Sequence, residues 1–516
     1  VLLAQRLLAT ARAHPGKVAL RSGEETLTYG ELETRIAHAA GELAERGLGP
    51  GERLAILSAT SAEAIVAFWA ALALGAVPVV LNRRLETGEL EGVLDDCEPV
   101  VIAADTDGLE RVSGYAATRV ALDALAPGRA APGALELPEL PELSPDAPAA
   151  IVYTSGSSGR PKGVCLSHRN LAMIAETNIA QIGLGPEDSY LLLVPLHYVH
   201  GILQLLSHHL AGAAIHLGGE FLFPRQVVEQ LRSEKVTGFS GVPLHFVQLI
   251  DRGGFLDAEL PHLRWLTSTG GRCPPERLVQ MLDARPGVRI YIAYGQTECA
   301  PRATLLDPSR LRRKIESVGS PIPGVEVRAV SEEGRALPPG EVGEVVVRGE
   351  NIMLGYWRDP EGTRRVVDPE GWLHTGDLGY FDEEGDLFLV GRRTSMIKTG
   401  GERVFAEHVE KALGRHRGVD DVVVLGVPDE VLGERIEAHV VPADLAPDAA
   451  SEGDYRRELQ RHALANLPYA HAPKAYHLWR EFPRKDHGKV DREAIRAGLG
   501  GQRWGEKNDG LSTGNG

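Results

Sequence analysis

Cysteine is scarce in this sequence of 516 residues: Cys97, Cys165, Cys273 and Cys299 are the four, far apart and without a C-x-x-C pair. That spacing excludes a disulfide framework and a cysteine-held zinc, and it suits a reducing compartment, so a cytoplasmic protein is expected. Positive charge is also short. Lys and Arg number 55 against 71 Asp and Glu, a formal net charge of −16. A nucleic-acid partner would need a basic face to displace counterions, so none is expected. Aromatic residues make up only 5%. No uninterrupted apolar run reaches membrane-spanning length. Ala64 to Leu81 comes near, but Gly75 and Pro78 break it, and Val77 to Leu81 reads as a strand. A buried helix, a turn and a buried strand explain the stretch better than a membrane span. No basic segment precedes an apolar one at the start, so a secretory leader is not expected.

What is present fits a multidomain globular protein. Hydrophobic residues are 43% and charged residues 24%, and the length exceeds what one core supports. Thr28-Tyr29-Gly30-Glu31 has the spacing of a capping box. Leu32, Ile36, Ala40 and Leu43 then recur on one helical face, and Gly47 supplies a stop. Arg53 to Leu57 reads as a strand, and the alternation through Leu81 implies βα units with a mostly parallel sheet. Ala126 to Pro148, rich in Pro, Ala and Glu, reads as an irregular connection. Alternating blocks return near 165–245 and 263–330, and Val325 to Val347 changes to short strands with Gly/Pro turns. After Gly391 a smaller mixed unit is predicted, with a helix near Ala406–Leu413 and strands at Asp421–Gly426 and Glu437–Val441. The tail from Gly501 has no apolar period and is expected to be disordered.

The strongest motif is Tyr153-Thr154-Ser155-Gly156-Ser157-Ser158-Gly159-Arg160-Pro161-Lys162-Gly163, which follows the apolar strand Ala149–Val152. Its hydroxyls and glycines let a loop fold around an anion with backbone N–H donors, and Lys162 adds a charge. The G-x-x-x-x-G-K-[ST] spacing of the common phosphate loop does not occur there.

This loop resembles the phosphate loop of the adenylate-forming superfamily of acyl-CoA synthetases, aryl-CoA ligases, stand-alone adenylation enzymes and luciferases. Further matching pieces follow in the family order: Gly270-Gly271-Arg272-Cys273-Pro274, Tyr294-Gly295-Gln296-Thr297-Glu298, Trp372-Leu373-His374-Thr375-Gly376-Asp377, Gly391-Arg392, Lys398-Thr399-Gly400-Gly401-Glu402 and Gly488-Lys489. The resemblance spans about residues 20–495.

The resemblance implies an α/β fold with a large N-terminal domain to residue 393, built of two α/β subdomains plus a β subdomain. A small mobile α+β C-terminal domain, 394–500, would carry the catalytic lysine, with 501–516 as the tail. It implies adenylation of a carboxylic acid by ATP with Mg2+, then transfer to a thiol. Coenzyme A leads as acceptor, and the phosphopantetheine of an acyl or peptidyl carrier protein is the alternative. Thr154, Ser155, Gly156, Ser157, Ser158, Gly159 and Lys162 would hold phosphates. Gly271, Arg272, Cys273, Tyr294 and Gly295 would line the nucleotide, with Tyr294 stacked on adenine. Thr297 would bond the α-phosphate and Glu298 would ligate Mg2+, a hard cation that prefers oxygen. Asp377 would accept the ribose hydroxyls beside Arg392. Lys489 would meet the charge that develops on the acyl and α-phosphate oxygens, with Lys485 as the competing lysine.

The carboxylate pocket would be lined by His197, Tyr198, Val199, His200, Gly241, Gly270 and Gly295. Tyr198 stands where many relatives carry a gate histidine, so His197 or His200 would take that part or the gate would work differently. Val199 stands where amino-acid-activating relatives carry an Asp. An apolar residue there would leave a buried ammonium unpaired, which favours an acid without an α-amino group. Thr394 replaces the Asp or Lys usual at the hinge. Gly400 and Gly401 would let the chain pass close to a pantetheine arm.

Overall fold

Helix starts in the first part of the chain follow from side chains that satisfy free backbone donors. In the computed structural model Thr28 caps the helix Tyr29–Glu45: its hydroxyl accepts from the Glu31 N–H at 3.2 Å, and the Glu31 carboxylate accepts from the Thr28 N–H at 2.9 Å. The predicted face of Leu32, Ile36, Ala40 and Leu43 is buried, and Gly47 turns the chain at φ +88°. The structure describes residues 2–125, 141–155, 161–218, 221, 223–443, 452–484, 490–498 and 502–503.

The long apolar stretch resolves into the helix Ala62–Ala73, a turn with Gly75 at φ +69°, and the buried strand Val77–Leu81. Among the described residues no helix is long and apolar enough to cross a membrane.

The chain divides into two units. The first holds residues 1–328, 346–375 and 382–388; the second holds 329–345, 376–381 and 389–516. The first unit contains two sheets of the α/β kind. One has nine strands, in the order Ser320–Pro321, Thr304–Leu306, Arg289–Tyr294, Trp265–Ser268, Gly238–Gly241, Ser189–Leu192, Ala214–Leu217, Val18–Ser22 and Glu25–Thr28. Its six central strands are parallel and the outer pairings antiparallel. The other is a four-stranded parallel sheet, Val77–Leu81, Arg53–Leu57, Val101–Ala104 and Thr118–Ala121. Val77–Leu81, Arg53–Leu57 and Val101–Ala104 are nearly continuous runs of buried residues, as burial on both faces requires, while Thr118–Ala121 at the edge exposes Thr118 and Arg119. A separate antiparallel sheet joins Gly355–Tyr356, Pro161–Ser167 and Pro148–Ser155.

Another four-stranded sheet, Val325–Val330, Gly343–Gly349, Leu373–Phe381 and Leu387–Arg392, supplies the β-rich part, and the division between units runs through each of its strands. The predicted helix Ala406–Leu413 is present. The two predicted strands of the small unit extend to Val419–Asp429 and Gly433–Pro442, which pair antiparallel. Val409, Leu413, Val424, Ile436, Val440 and Leu459 form the core there. Gln502–Arg503, within the tail expected to lack order, form a short strand beside Ala475–Glu481. The remainder of 501–516, and residues 126–140 of the predicted connection, lie outside the described residues.

Candidate active site

The hairpin Pro148–Ser155/Pro161–Ser167 carries the hydroxyl-rich motif. Ala149 to Val152 are buried, which anchors the strand, and the register sets Thr154 opposite Lys162. Gly163 leaves no room for a larger residue: a Cβ there would stand 2.9 Å from Ile151 and 3.1 Å from the Tyr153 ring. The Thr154 hydroxyl donates to the Lys162 carbonyl at 3.5 Å. The Lys162 ammonium stands 4.7 Å over the ring of Tyr356. Gly156, Ser157, Ser158 and Gly159, and the side chain of Ser155, lie outside the described residues.

The second constellation grows from the strand Arg289–Tyr294 and the short turn Thr297–Cys299. Gly295 is forced by crowding, since a Cβ would fall 2.1 Å from the Pro301 carbonyl oxygen. Glu298 Oε1 accepts a hydrogen bond from the Tyr356 hydroxyl at 2.9 Å. The backbone fixes this meeting. Met353 N–H donates to the Glu298 carbonyl at 3.0 Å, Leu354 N–H to Cys165 at 2.9 Å and Trp357 N–H to Gly163 at 2.6 Å. The segment Met353–Trp357 therefore ties the hydroxyl-rich hairpin to the Glu298 turn. One tyrosine holds a cation over its ring face and a carboxylate at its hydroxyl. Burial first, then the Glu298 charge, raises the phenol above its ordinary range, so Tyr356 keeps its proton and donates.

Gly241, Gly270 and Gly295 of the proposed pocket sit at or just past the ends of parallel strands. Gly241 ends Gly238–Gly241, and Gly270, at φ +78°, follows Trp265–Ser268. Gly271 is exposed, with Pro243 as the nearest neighbour of a Cβ at 3.5 Å. Arg272 is ion-paired with Glu316. Burial pushes the Cys273 thiol up to about 12 and the Cys97 thiol likewise, and Cys165 to about 11. These thiols stay protonated near neutral pH and do not serve as nucleophiles. Tyr198 precedes the helix Val199–Leu210, with the His197 and Tyr198 rings 4.2 Å apart. Val199 is buried and His200 half-buried. Desolvation, then the charge of Arg302, pushes the His200 imidazole down to about 3, so it is neutral in the working range.

In the second unit, Asp377 is buried and its Oδ1 accepts from Arg392 Nε at 2.9 Å. The Arg392 side chain is 61% exposed, so this pair is screened and open to a competing ligand. Thr394 lies in the turn Arg393–Ser395, and the Ser395 hydroxyl donates to Glu407 Oε1 at 2.6 Å. Gly400 and Gly401 hold φ of +57° and +83°, a conformation that favours glycine. Lys489 and Lys485 lie outside the described residues. Glu437, His439 and His477 bring ligand-type atoms within 4.8 Å. The Trp479 indole N–H donates to His439 Nδ1 at 3.1 Å, which places the ring proton on Nε2 and disfavours metal binding.

Sequence reading missed two residues. Tyr356, in the run Gly355-Tyr356-Trp357, joins Lys162 to Glu298, and its only local signal was a Gly–aromatic pair. Arg302 lies buried beyond the Glu298 turn, where an arginine reads as an ordinary surface charge.

With this geometry established, known proteins fall into place. The model of the AMP-binding enzyme family matches residues 7–357, and that of the AMP-binding enzyme C-terminal domain matches 408–489. A feruloyl-CoA synthase of an Amycolatopsis species is 34% identical over 491 residues, 95% of this chain and 97% of that protein. ATP-bound MatB from Rhodopseudomonas palustris superposes with a TM-score of 0.87 at 27% identity, covering 96% of this chain and 98% of that one. The o-succinylbenzoate coenzyme A synthetase of Bacillus subtilis, in complex with ATP and magnesium ion, superposes with a TM-score of 0.82 at 27% identity, covering 95% and 99%. The chain belongs to the AMP-binding enzyme family, the adenylate-forming ligases.

Proposed function

We propose that this enzyme uses ATP to adenylate a carboxylic acid lacking an α-amino group and then forms its coenzyme A thioester. It is an AMP-forming acid–thiol ligase. In the first half-reaction a carboxylate oxygen attacks the α-phosphorus and pyrophosphate leaves. In the second the thiol sulfur attacks the acyl carbon, AMP leaves with the bonding electron pair, and the thiol proton passes to solvent. The observation that carries this reading is the Lys162–Tyr356–Glu298 arrangement, which sets a cation and a hard anionic oxygen beside the Thr297 turn.

The donor set fits Mg2+, since a Glu carboxylate and Thr hydroxyls are the oxygen ligands it prefers. When bound, the ion screens phosphate charge. Tyr356 holds Glu298 in place for it through the 2.9 Å hydrogen bond. Thr154, Ser155, Lys162 and the loop 156–160 are assigned to the phosphates, Thr297 to the α-phosphate and Tyr294 to adenine. Asp377 and Arg392 are assigned to the ribose, and Lys489 to the transition-state charge. The names of the matched relatives favour coenzyme A over a carrier protein as acceptor. Cytoplasmic action is proposed from the four free thiols.

The test is pyrophosphate release with ATP and Mg2+ over fatty, aryl and amino acids, followed by mass analysis of thioester with coenzyme A and with a phosphopantetheinylated carrier. Acid-dependent release with coenzyme A thioester as product is expected. No release with any acid would sink the reading, and thioester on the carrier alone would reassign the acceptor.

A further inference from the structure

Arg302 is the feature that the adenylation chemistry leaves unused. It follows the Thr297–Cys299 turn and is 1% exposed. Its Nη1 donates to Asn178 Oδ1, while Nη2 has no partner among the described residues. No carboxylate pairs with it among the described residues; the acidic groups that influence it are the phenols of Tyr190 and Tyr291, both held protonated by burial. A guanidinium buried without a counter-anion is costly, and an apolar side chain would pack there at less expense.

The surroundings hold this charge in a fixed place. Asn178 Nδ2 donates to the Ser207 hydroxyl at 3.0 Å, and that hydroxyl donates to the Leu203 carbonyl at 2.7 Å, so the amide oxygen is turned toward Arg302. Asn351 Nδ2 donates to the Arg302 carbonyl at 2.9 Å and fixes the backbone. A Cβ on Gly295 would stand 2.7 Å from Arg302 Cα, so the arginine lies directly against that glycine. His200, whose imidazole feels the Arg302 charge, is half-buried, and Gln204 Nε2 stands 3.5 Å from His200 Nε2. Gln204 Oε1, fully buried, also has no partner. A fixed cation is thus carried by the residue whose Cα packs against Gly295, near enough to His200 to lower its proton affinity.

We propose that Arg302 determines specificity in the acyl pocket, pairing through Nη2 with a second anionic group on the acid, a carboxylate or sulfonate remote from the reacting carboxyl. A guanidinium fork matches such paired anionic oxygens better than any other side chain. The inference rests on the assignment of His200 and Gly295 to that pocket.

The experiment compares kcat/KM for pyrophosphate release between acids matched in skeleton: glutarate against its monomethyl ester, 4-carboxyphenylacetate against 4-methylphenylacetate, and 3-sulfopropionate against butyrate. The wild type is expected to favour the anion-bearing member of at least one pair by roughly tenfold or more, and the favoured pair separates carboxylate from sulfonate. Arg302→Met should bring that ratio to about one, and Arg302→Lys, which keeps the charge but not the fork, to an intermediate value. A wild-type preference for the uncharged member in every pair overturns the inference even if neither variant folds. So does a ratio unmoved in folded Arg302→Met. Release with uncharged acids alone would leave the ligase reading intact while removing this one; absence of release with every acid would remove the ligase reading instead.

Discussion

The side chains that meet at Tyr356 make distinct demands on single atoms. Tyr356→Phe keeps the ring beneath Lys162 but removes the donor to Glu298. One hydrogen bond of about 1 kcal/mol is lost, so the Mg2+ concentration for half-maximal pyrophosphate release should rise about fivefold. A magnesium titration of the variant checks this, and an unchanged midpoint would show that the tyrosine does not hold the carboxylate for the ion. Lys489 has the opposite signature. Lys489→Ala should slow adenylate formation by about a hundredfold or more while ATP affinity stays within about twofold, because a charge developing only in the transition state is what it meets. ATP–pyrophosphate exchange and equilibrium ATP binding separate the two effects.

Elements depend on single positions in other ways. Thr28→Ala removes the hydroxyl that accepts from Glu31 N–H, and loss of such a cap costs about 1 kcal/mol. The urea midpoint should fall accordingly with activity at low denaturant retained. Gly201 lies in the first turn of Val199–Leu210, where a Cβ would sit 2.3 Å from the Pro195 carbonyl oxygen. Gly201→Ala must displace either the helix or the turn carrying His197 and Tyr198. The KM for the acid should rise roughly tenfold, about 1.4 kcal/mol, with the KM for ATP little changed; equal loss for both substrates would place the turn away from the acid.

These elements also show where sequence was informative. The Thr28 capping box, the Ala406–Leu413 helix and the Gly75 break were readable because their causes are local: cap spacing, apolar period, a left-handed turn. The Tyr153–Gly163 run announced an anion loop for the same reason. Tyr356 and Arg302 were not readable, because their partners are remote in sequence. Tyr356 bonds Glu298, 58 residues away, and Arg302 bonds Asn178, 124 residues away. Contacts of that kind arise only once the fold brings distant segments together.

At the scale of the molecule, three histidines that are fully buried among the described residues make the fold sensitive to acid. Desolvation, the leading cause in each, holds His168 and His208 at about 4 and His209 at about 3, against about 6.5 when exposed. The unfolded chain then binds more protons below pH 6.5. Their contribution is fully present above that pH and is lost as pH falls toward 4 and then 3. The three together should lower stability by about 4 kcal/mol between pH 7.5 and 5.5. Urea unfolding across that interval, compared between wild type and His208→Gln, measures one share: the variant should lose about 1.4 kcal/mol less than the wild type.

The second unit has a consequence for any attempt to take the enzyme apart. Its residues come from three stretches, 329–345, 376–381 and 389–516. No single cleavage of the gene can release it whole, since a fragment beginning at residue 389 leaves the two shorter stretches behind. Splitting the protein at residue 389 for fragment complementation, or swapping the part from 389 onward with a relative's, therefore leaves 329–345 and 376–381 with the other fragment.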